Sequence, residues 1–306
     1  NRIGEYMDIL VGQNLTKKYG KITALNDFNI NVPEGSIYGL IGRNGAGKTT
    51  FMRTICGLQN LNAGHYIING IDSKSKDITL VRNKMSAIIE NVSLYADMTA
   101  QENLIMQSKI LGLTNYNDSL KLLKLVNLEN TTQKVEHYSL GMKQRLGIAM
   151  ALVGNPKIIL LDEPTNGLDP EGIIELRSLL LALNKEYGLT IIISSHYLDE
   201  LSKIATTYGV VEKGKMIKEI SKKDLIKSLN KCWLIKVNKP RIFAKYCQDN
   251  KIKYEKEKDL FKIYQKINLT KLVVELDKNG CEVLDITKNV ETLEDYFLKL
   301  TGGQNV

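Results

Sequence analysis

No apolar run in this chain approaches the ~20 residues that cross a bilayer, so the sequence offers no helical membrane span. Nothing at its N-terminus has the apolar h-region of a secretory signal. Cysteine is sparse: Cys56, Cys232, Cys247 and Cys281 are the four, and none stand as C-x-x-C. That spacing excludes the thiol metal and redox motifs, and it suits free thiols in a reducing compartment. There is no internal repeat and no low-complexity tract. What is present is ordinary for a globular protein: 306 residues, 43% hydrophobic and 25% charged, enough for one large domain or two. The net charge of +8 is carried mostly by lysine. It suits nucleic acid or an anionic membrane surface and, more simply, a lysine-rich solvated exterior. Residues 1–6 read as an upstream extension, with the chain proper expected from Met7.

The most informative stretch is Gly42-Arg43-Asn44-Gly45-Ala46-Gly47-Lys48-Thr49. It fits G-x-x-x-x-G-K-[ST], the phosphate-binding loop. Ser36 to Ile41 before it reads as a short apolar strand, and Thr49-Thr50-Phe51-Met52 after it reads as the start of a helix. The motif needs that context. Glycines let backbone N–H groups turn inward on phosphate oxygens, and the helix N-terminus adds the positive end of its dipole. Lys48 is expected to reach the β- and γ-phosphates, and the Thr49 hydroxyl to bind Mg²⁺.

Before the loop, residues 8–16 and 22–32 alternate as an antiparallel pair joined by a turn at Lys17-Lys18-Tyr19-Gly20. Tyr19, just ahead of the phosphate loop, is a candidate platform for stacking a base. After it, short strands are expected at 65–70 and 86–89, and helices near 101–112, 117–126 and 139–153. Lys157-Ile158-Ile159-Leu160-Leu161-Asp162-Glu163-Pro164 suits a central parallel strand buried on both faces. It delivers two carboxylates at its C-terminal end, where open α/β sheets bind ligands. Asp162 is positioned to hold Mg²⁺, and Glu163 to orient or deprotonate the attacking water. Leu189 to His196 repeats the pattern and ends in a histidine that can reach the same edge. From Ser221 the chain is richer in lysine and carries no phosphate chemistry. The order strand 232–237, helix 241–249, strands 251–256 and 260–265, helix 270–278, strand 281–286, helix 291–300 suggests a small ferredoxin-like domain.

Between the phosphate loop and Asp162 sits Tyr138-Ser139-Leu140-Gly141-Met142-Lys143-Gln144-Arg145-Leu146. With it, the set resembles the ATP-binding subunit of an ABC transporter, whose signature L-S-G-G-Q opens a helix. Ser139 and Gly141 match its second and fourth positions; Tyr138, Leu140 and Met142 depart from the others. The resemblance covers roughly residues 8–220 and implies an α/β P-loop NTPase cassette, with a parallel core sheet, an antiparallel β subdomain and a helical subdomain. It implies an ATPase domain at 7–220 and an accessory α+β domain at 221–306. It further implies a head-to-tail dimer in which Ser139 and Gly141 face the ATP held by Tyr19, residues 42–50 (Gly42 to Thr50) and Mg²⁺ on the other copy. Asn166-Gly167-Leu168-Asp169 resembles the D-loop, with Asp169 at the dimer seam, and His196 matches the H-loop.

Where the family usually has glutamine, this chain has Glu90, which keeps an oxygen ligand for Mg²⁺ but loses an N–H donor. With the neighbouring Leu94-Tyr95 and Thr99 to Leu104, and with Thr292 to Phe297, it resembles the exporters that protect cells from bacitracin and lantibiotics. That implies a separate integral-membrane permease, a peptide substrate, no nucleic acid, and a peripheral position on the cytoplasmic face of the membrane. An ABC ATPase acting on nucleic acid or ribosomes is the competing reading. Against it stand the single phosphate loop, the single signature and the absence of a long coiled coil between Lys48 and Ser139. A non-catalytic binding module conflicts with the presence of Glu163.

Overall fold

In the computed structural model, residues 7–229, 231–257 and 259–300 are described; the expected extension at 1–6 lies outside them. Phe28, Ile30 and Val32 are buried while Asn29 and Asn31 are exposed, a period of two that makes β2 (Ile22–Pro33) pair with β1 (Asp8–Tyr19). β1 is longer than its sequence suggests. Tyr19 pairs directly with Ile22, so the turn is Gly20-Lys21, with Gly20 at φ +57°, and Lys17 to Tyr19 belong to the strand. β3 (Ile37–Ile41) follows, then α1 (Lys48–Ile55), β4 (Ala63–Ile68) and β5 (Ile71–Asp72). Asn69 and Gly70 both take positive φ, the geometry of the tight turn expected there. Of these strands, all but β3 form one sheet, of order β2-β1-β4-β5.

α2 (Ile78–Arg82) and β6 (Met85–Ile88) lead to three helices, α3 (Ala100–Ile110), α4 (Asp118–Leu125) and α5 (Leu140–Leu152). Thr99 caps α3 in a complete capping box. Its hydroxyl accepts from the Glu102 amide at 3.3 Å and Glu102 Oε2 accepts from its amide at 2.8 Å. β7 (Ile158–Asp162), α6 (Pro170–Tyr187), β8 (Thr190–Ser195), α7 (Leu198–Ile204), β9 (Thr207–Glu212) and β10 (Lys215–Ser221) complete this part, and α8 (Lys222–Ser228) follows. The central sheet runs β10-β9-β3-β8-β7-β6, parallel except for the β9–β10 hairpin. Every residue of β3, β7 and β8 is buried, as strands covered on both faces must be.

The chain divides into two compact units between Lys223 and Asp224. The second contains β11 (Lys231–Val237), α9 (Pro240–Asp249), β12 (Glu255–Glu257), β13 (Leu260–Ile263), α10 (Leu269–Lys278), β14 (Val283–Val290) and α11 (Leu293–Leu300). Its sheet runs β12-β13-β11-β14 with every neighbour antiparallel. Ile235, Phe243, Phe261, Leu272 and Leu276 centre a core of its own. The strand expected from 251 begins only at Glu255, because Lys251 takes φ +55° as the chain leaves α9. Among the described residues, no helix is long and apolar enough to cross a membrane.

Candidate active site

The phosphate loop leaves the C-terminal edge of β3 and enters α1, as its spacing requires. Two of its glycines admit no side chain. A Cβ on Gly42 would lie 2.5 Å from the Val211 carbonyl oxygen, and one on Gly47, at φ +110°, 2.6 Å from that of Ala24. The loop is closed by an Ala46 amide donating to the Arg43 carbonyl at 3.0 Å and a Gly214 amide donating to the Ala46 carbonyl at 2.8 Å. Arg43, Asn44 and Gly45 face outward, and nothing lies within 4 Å of where a Gly45 Cβ would be. That open concavity at a helix N-terminus fits a phosphate chain.

Lys48 folds back over this loop, donating to the Gly42 carbonyl at 2.6 Å and the Arg43 carbonyl at 3.3 Å. Its ammonium also lies 3.1 Å from Glu163 Oε1. One residue on, the Thr49 hydroxyl donates to Asp162 Oδ2 at 2.6 Å. Ser194 binds the other oxygen of the same carboxylate, donating to Oδ1 at 2.5 Å, and accepts from the Glu163 amide at 2.9 Å. Glu163 Oε2 contacts His196 Nδ1 at 2.7 Å. Its Oε1 is buried without a hydrogen-bond partner of proper geometry among the described residues. Glu163 takes φ +49°, a conformation unusual for its type, at the point where the chain leaves β7.

Sheet order explains this convergence. β8 lies between β3 and β7, so three parallel strands deliver the loop, Ser194 with His196, and Asp162 with Glu163 to one edge. Ser194 was not foreseen. Its signal is the register that sets it opposite Asp162, which the chain alone does not reveal. The donors suit Mg²⁺: one hydroxyl and one carboxylate, hard oxygens that leave room for water and phosphate. Among the described residues no group of three or more His, Cys, Asp or Glu could form an all-protein metal cage.

The other expected residues stand apart from this cluster. Glu90, at φ +67°, pairs with Arg53 of α1 at 2.6 Å and is 58% exposed. Ser139 caps α5, accepting from the Met142 amide at 3.2 Å. A Cβ on Gly141 would meet nothing closer than 3.9 Å, so this chain's own packing does not demand a glycine there. Asp169 caps α6 through the Gly172 amide at 3.0 Å. The Tyr19 hydroxyl hydrogen-bonds Gln59. Beside Glu90 a cleft of about 820 Å³ opens between β6 and the helices α3 and α5, lined by Met85, Ile88, Val92, Ile110, Leu111 and Met150.

Comparison with known proteins agrees with this geometry. The ABC transporter family model matches residues 25–166. The chain is 41% identical to the bacitracin transport ATP-binding protein BcrA of Bacillus licheniformis, over 97% of this chain and 99% of that one. It is 45% identical to the lantibiotic transport ATP-binding protein SrtF of Streptococcus pyogenes, over 68% of this chain and 88% of that one. Among solved structures, a dimeric ATP-binding cassette in a post-hydrolysis state bound to ADP and Pi is 29% identical with a TM-score of 0.62, covering 70% of this chain and 98% of that one. Action on nucleic acid or ribosomes is not favoured, since the relatives matched over nearly their whole length include two bacitracin transport ATP-binding proteins. The chain belongs to the ABC transporter ATP-binding proteins and is an ATPase that works on ATP with Mg²⁺.

Proposed function

We propose that this ATPase powers the expulsion of a membrane-acting peptide antibiotic of the bacitracin or lantibiotic type, protecting the cell that carries it. The observation that carries this reading is the similarity to the bacitracin transport protein, which runs through both compact units rather than the cassette alone. Residues 7–220 are the ATPase domain and 221–306 an accessory domain; the strand order of the second unit supports a ferredoxin-like arrangement.

In the ATPase domain, residues 42–50 bind the phosphates and Tyr19 the base. Thr49 and Asp162 hold Mg²⁺, which when bound draws charge from the phosphate oxygens. Glu163 takes a proton from the attacking water on Oε1 once Lys48 has turned to the phosphates, and His196 holds the other carboxylate oxygen, fixing the direction in which Oε1 points. Glu90, which now pairs with Arg53, would be a further oxygen ligand for the metal. Ser139, Gly141 and Asp169 meet the nucleotide of a second copy, which the room left around Gly141 supports. The cleft beside Glu90 receives a separate permease, so that the chain works at the cytoplasmic face of the membrane.

Minimal inhibitory concentrations of bacitracin and several lantibiotics, against a sensitive strain carrying this chain with its permease, test the reading. Glu163→Gln in that strain is expected to abolish protection. Unchanged values would refute the substrate assignment and leave the ATPase standing.

A further inference from the structure

Tyr19 ends β1 and is 45% exposed. Its hydroxyl hydrogen-bonds Gln59 Oε1. The amide nitrogen of the same Gln59 donates to the Thr50 carbonyl at 2.7 Å and to the Thr54 hydroxyl at 2.9 Å, both in α1. One residue further, the Asn60 carbonyl accepts from Lys17 Nζ at 2.6 Å, and that ammonium sits 5.2 Å from the centre of the Tyr19 ring. The Lys18 amide donates to Asn62 Oδ1 at 2.7 Å, and the Asn62 amide to the Thr16 carbonyl at 2.8 Å. The end of β1 is thus fastened along the segment that leaves α1.

We infer that Gln59 is a positioning residue for the base: it ties the Tyr19 ring to the helix that carries the phosphate loop, and the base stacks on the ring face opposite Lys17. The inference rests on the reading of Tyr19 as the base platform. Its physical basis is preorganisation. A flat ring on an exposed strand end loses rotational freedom when a base stacks on it, and a ring already held loses less. Gln59 spends its acceptor on the ring and its donors on α1, so the base-binding and phosphate-binding ends become one rigid body. Lys17 covers one face of the ring by a cation–π contact and leaves the other for the base.

The test is calorimetric titration of the full chain with MgATP and, separately, with magnesium tripolyphosphate, which has no base. Gln59→Leu and Tyr19→Phe each remove the same hydrogen bond. Each is expected to weaken ATP by about three- to tenfold, with the double variant no weaker than either. Tripolyphosphate affinity is expected to stay at the parent value in all three. If Gln59→Leu weakens tripolyphosphate as much as ATP, Gln59 merely supports α1 and the inference is overturned. If Tyr19→Ala weakens ATP while Gln59→Leu does not, the platform stands and the positioning role falls. If Tyr19→Ala leaves ATP affinity unchanged, the platform reading itself is wrong. Lys17→Met is expected to leave ATP binding equal or weaker; tighter binding would mean that the base takes the Lys17 face.

Discussion

Lys48 Nζ lies 3.1 Å from Glu163 Oε1, with both side chains largely buried. The cation of the phosphate loop and the proposed base therefore neutralise one another, with the Gly42 carbonyl and His196 completing the set. Breaking such a pair leaves buried charge uncompensated unless a new partner arrives. A phosphate chain would supply that partner to Lys48 and release Glu163 Oε1 from it.

Glu163→Gln removes the competing charge while keeping size. ATP affinity in the resting chain is expected to rise by about three- to tenfold, equivalent to about 1 kcal/mol, while turnover stalls and ATP traps a dimer. Titration together with light scattering checks both. Affinity equal to or below the parent value would show that the contact does not oppose ATP.

Ser194→Ala deletes a buried hydroxyl that donates to Asp162 and accepts from the Glu163 amide. A hydrogen bond to a charged group is worth about 1.5–3 kcal/mol, so stability is expected to drop by about that much. Asp162 also loses one of its two hydroxyl donors, Thr49 remaining, so half-maximal hydrolysis should need more Mg²⁺. Denaturant unfolding and a magnesium titration of activity report the two effects separately; a stable variant with the parent's magnesium dependence contradicts the assigned role.

Gly147 of α5 packs directly behind the loop that follows Glu90. A Cβ there would fall 2.4 Å from Val92 Cγ1. Val92 is β-branched and cannot swing aside cheaply, so Gly147→Ala should cost about 1–3 kcal/mol by overpacking. Val92→Ala in the same chain is expected to restore most of that loss. Additive effects in the double variant would mean that the strain is relieved elsewhere.

Glu219 of β10 accepts from the Asn31 amide at 2.9 Å and from the Tyr38 hydroxyl. Burial, with a smaller push from Asp8, raises its pKa, against the lowering effect of the Asn31 and Tyr38 hydrogen bonds. The folded chain then binds this proton more tightly than the unfolded chain. Its contribution is greatest below the ordinary carboxylate range and is lost as pH rises through the raised value. The stability of the parent relative to Glu219→Gln should therefore fall as pH rises across that window and level off above it. Thermal unfolding of both chains at a series of pH values measures the difference, and a difference independent of pH would exclude the shift.

Much of the site was legible because its pieces are local. The phosphate loop, the carboxylates ending β7 and the histidine after β8 each depend on spacing over a few residues. α6 carried readable signals as well, with Asp169 at its N-cap, Pro170 in its first turn and Gly188 after its end, although only the D-loop likeness of Asp169 was drawn from them. The Lys17–Tyr19 segment was misassigned because lysines and a tyrosine beside glycine look like a turn, whereas pairing with Ile22 to Leu25 extends the strand.

By itself the sequence determined which chemical groups exist and on which strand ends and helix starts they stand, because backbone geometry follows from short-range pattern. Only the tertiary structure decided which of those ends meet. Nothing along the chain says that β8 inserts between β3 and β7, and that order alone sets Ser194 against Asp162 and His196 against Glu163. Nor does spacing reveal that Glu90 turns to Arg53, or that Gln59 ties Tyr19 to α1. Those pairings follow from the packing of whole elements, whose positions are set by many buried contacts at once rather than by any local run of residues.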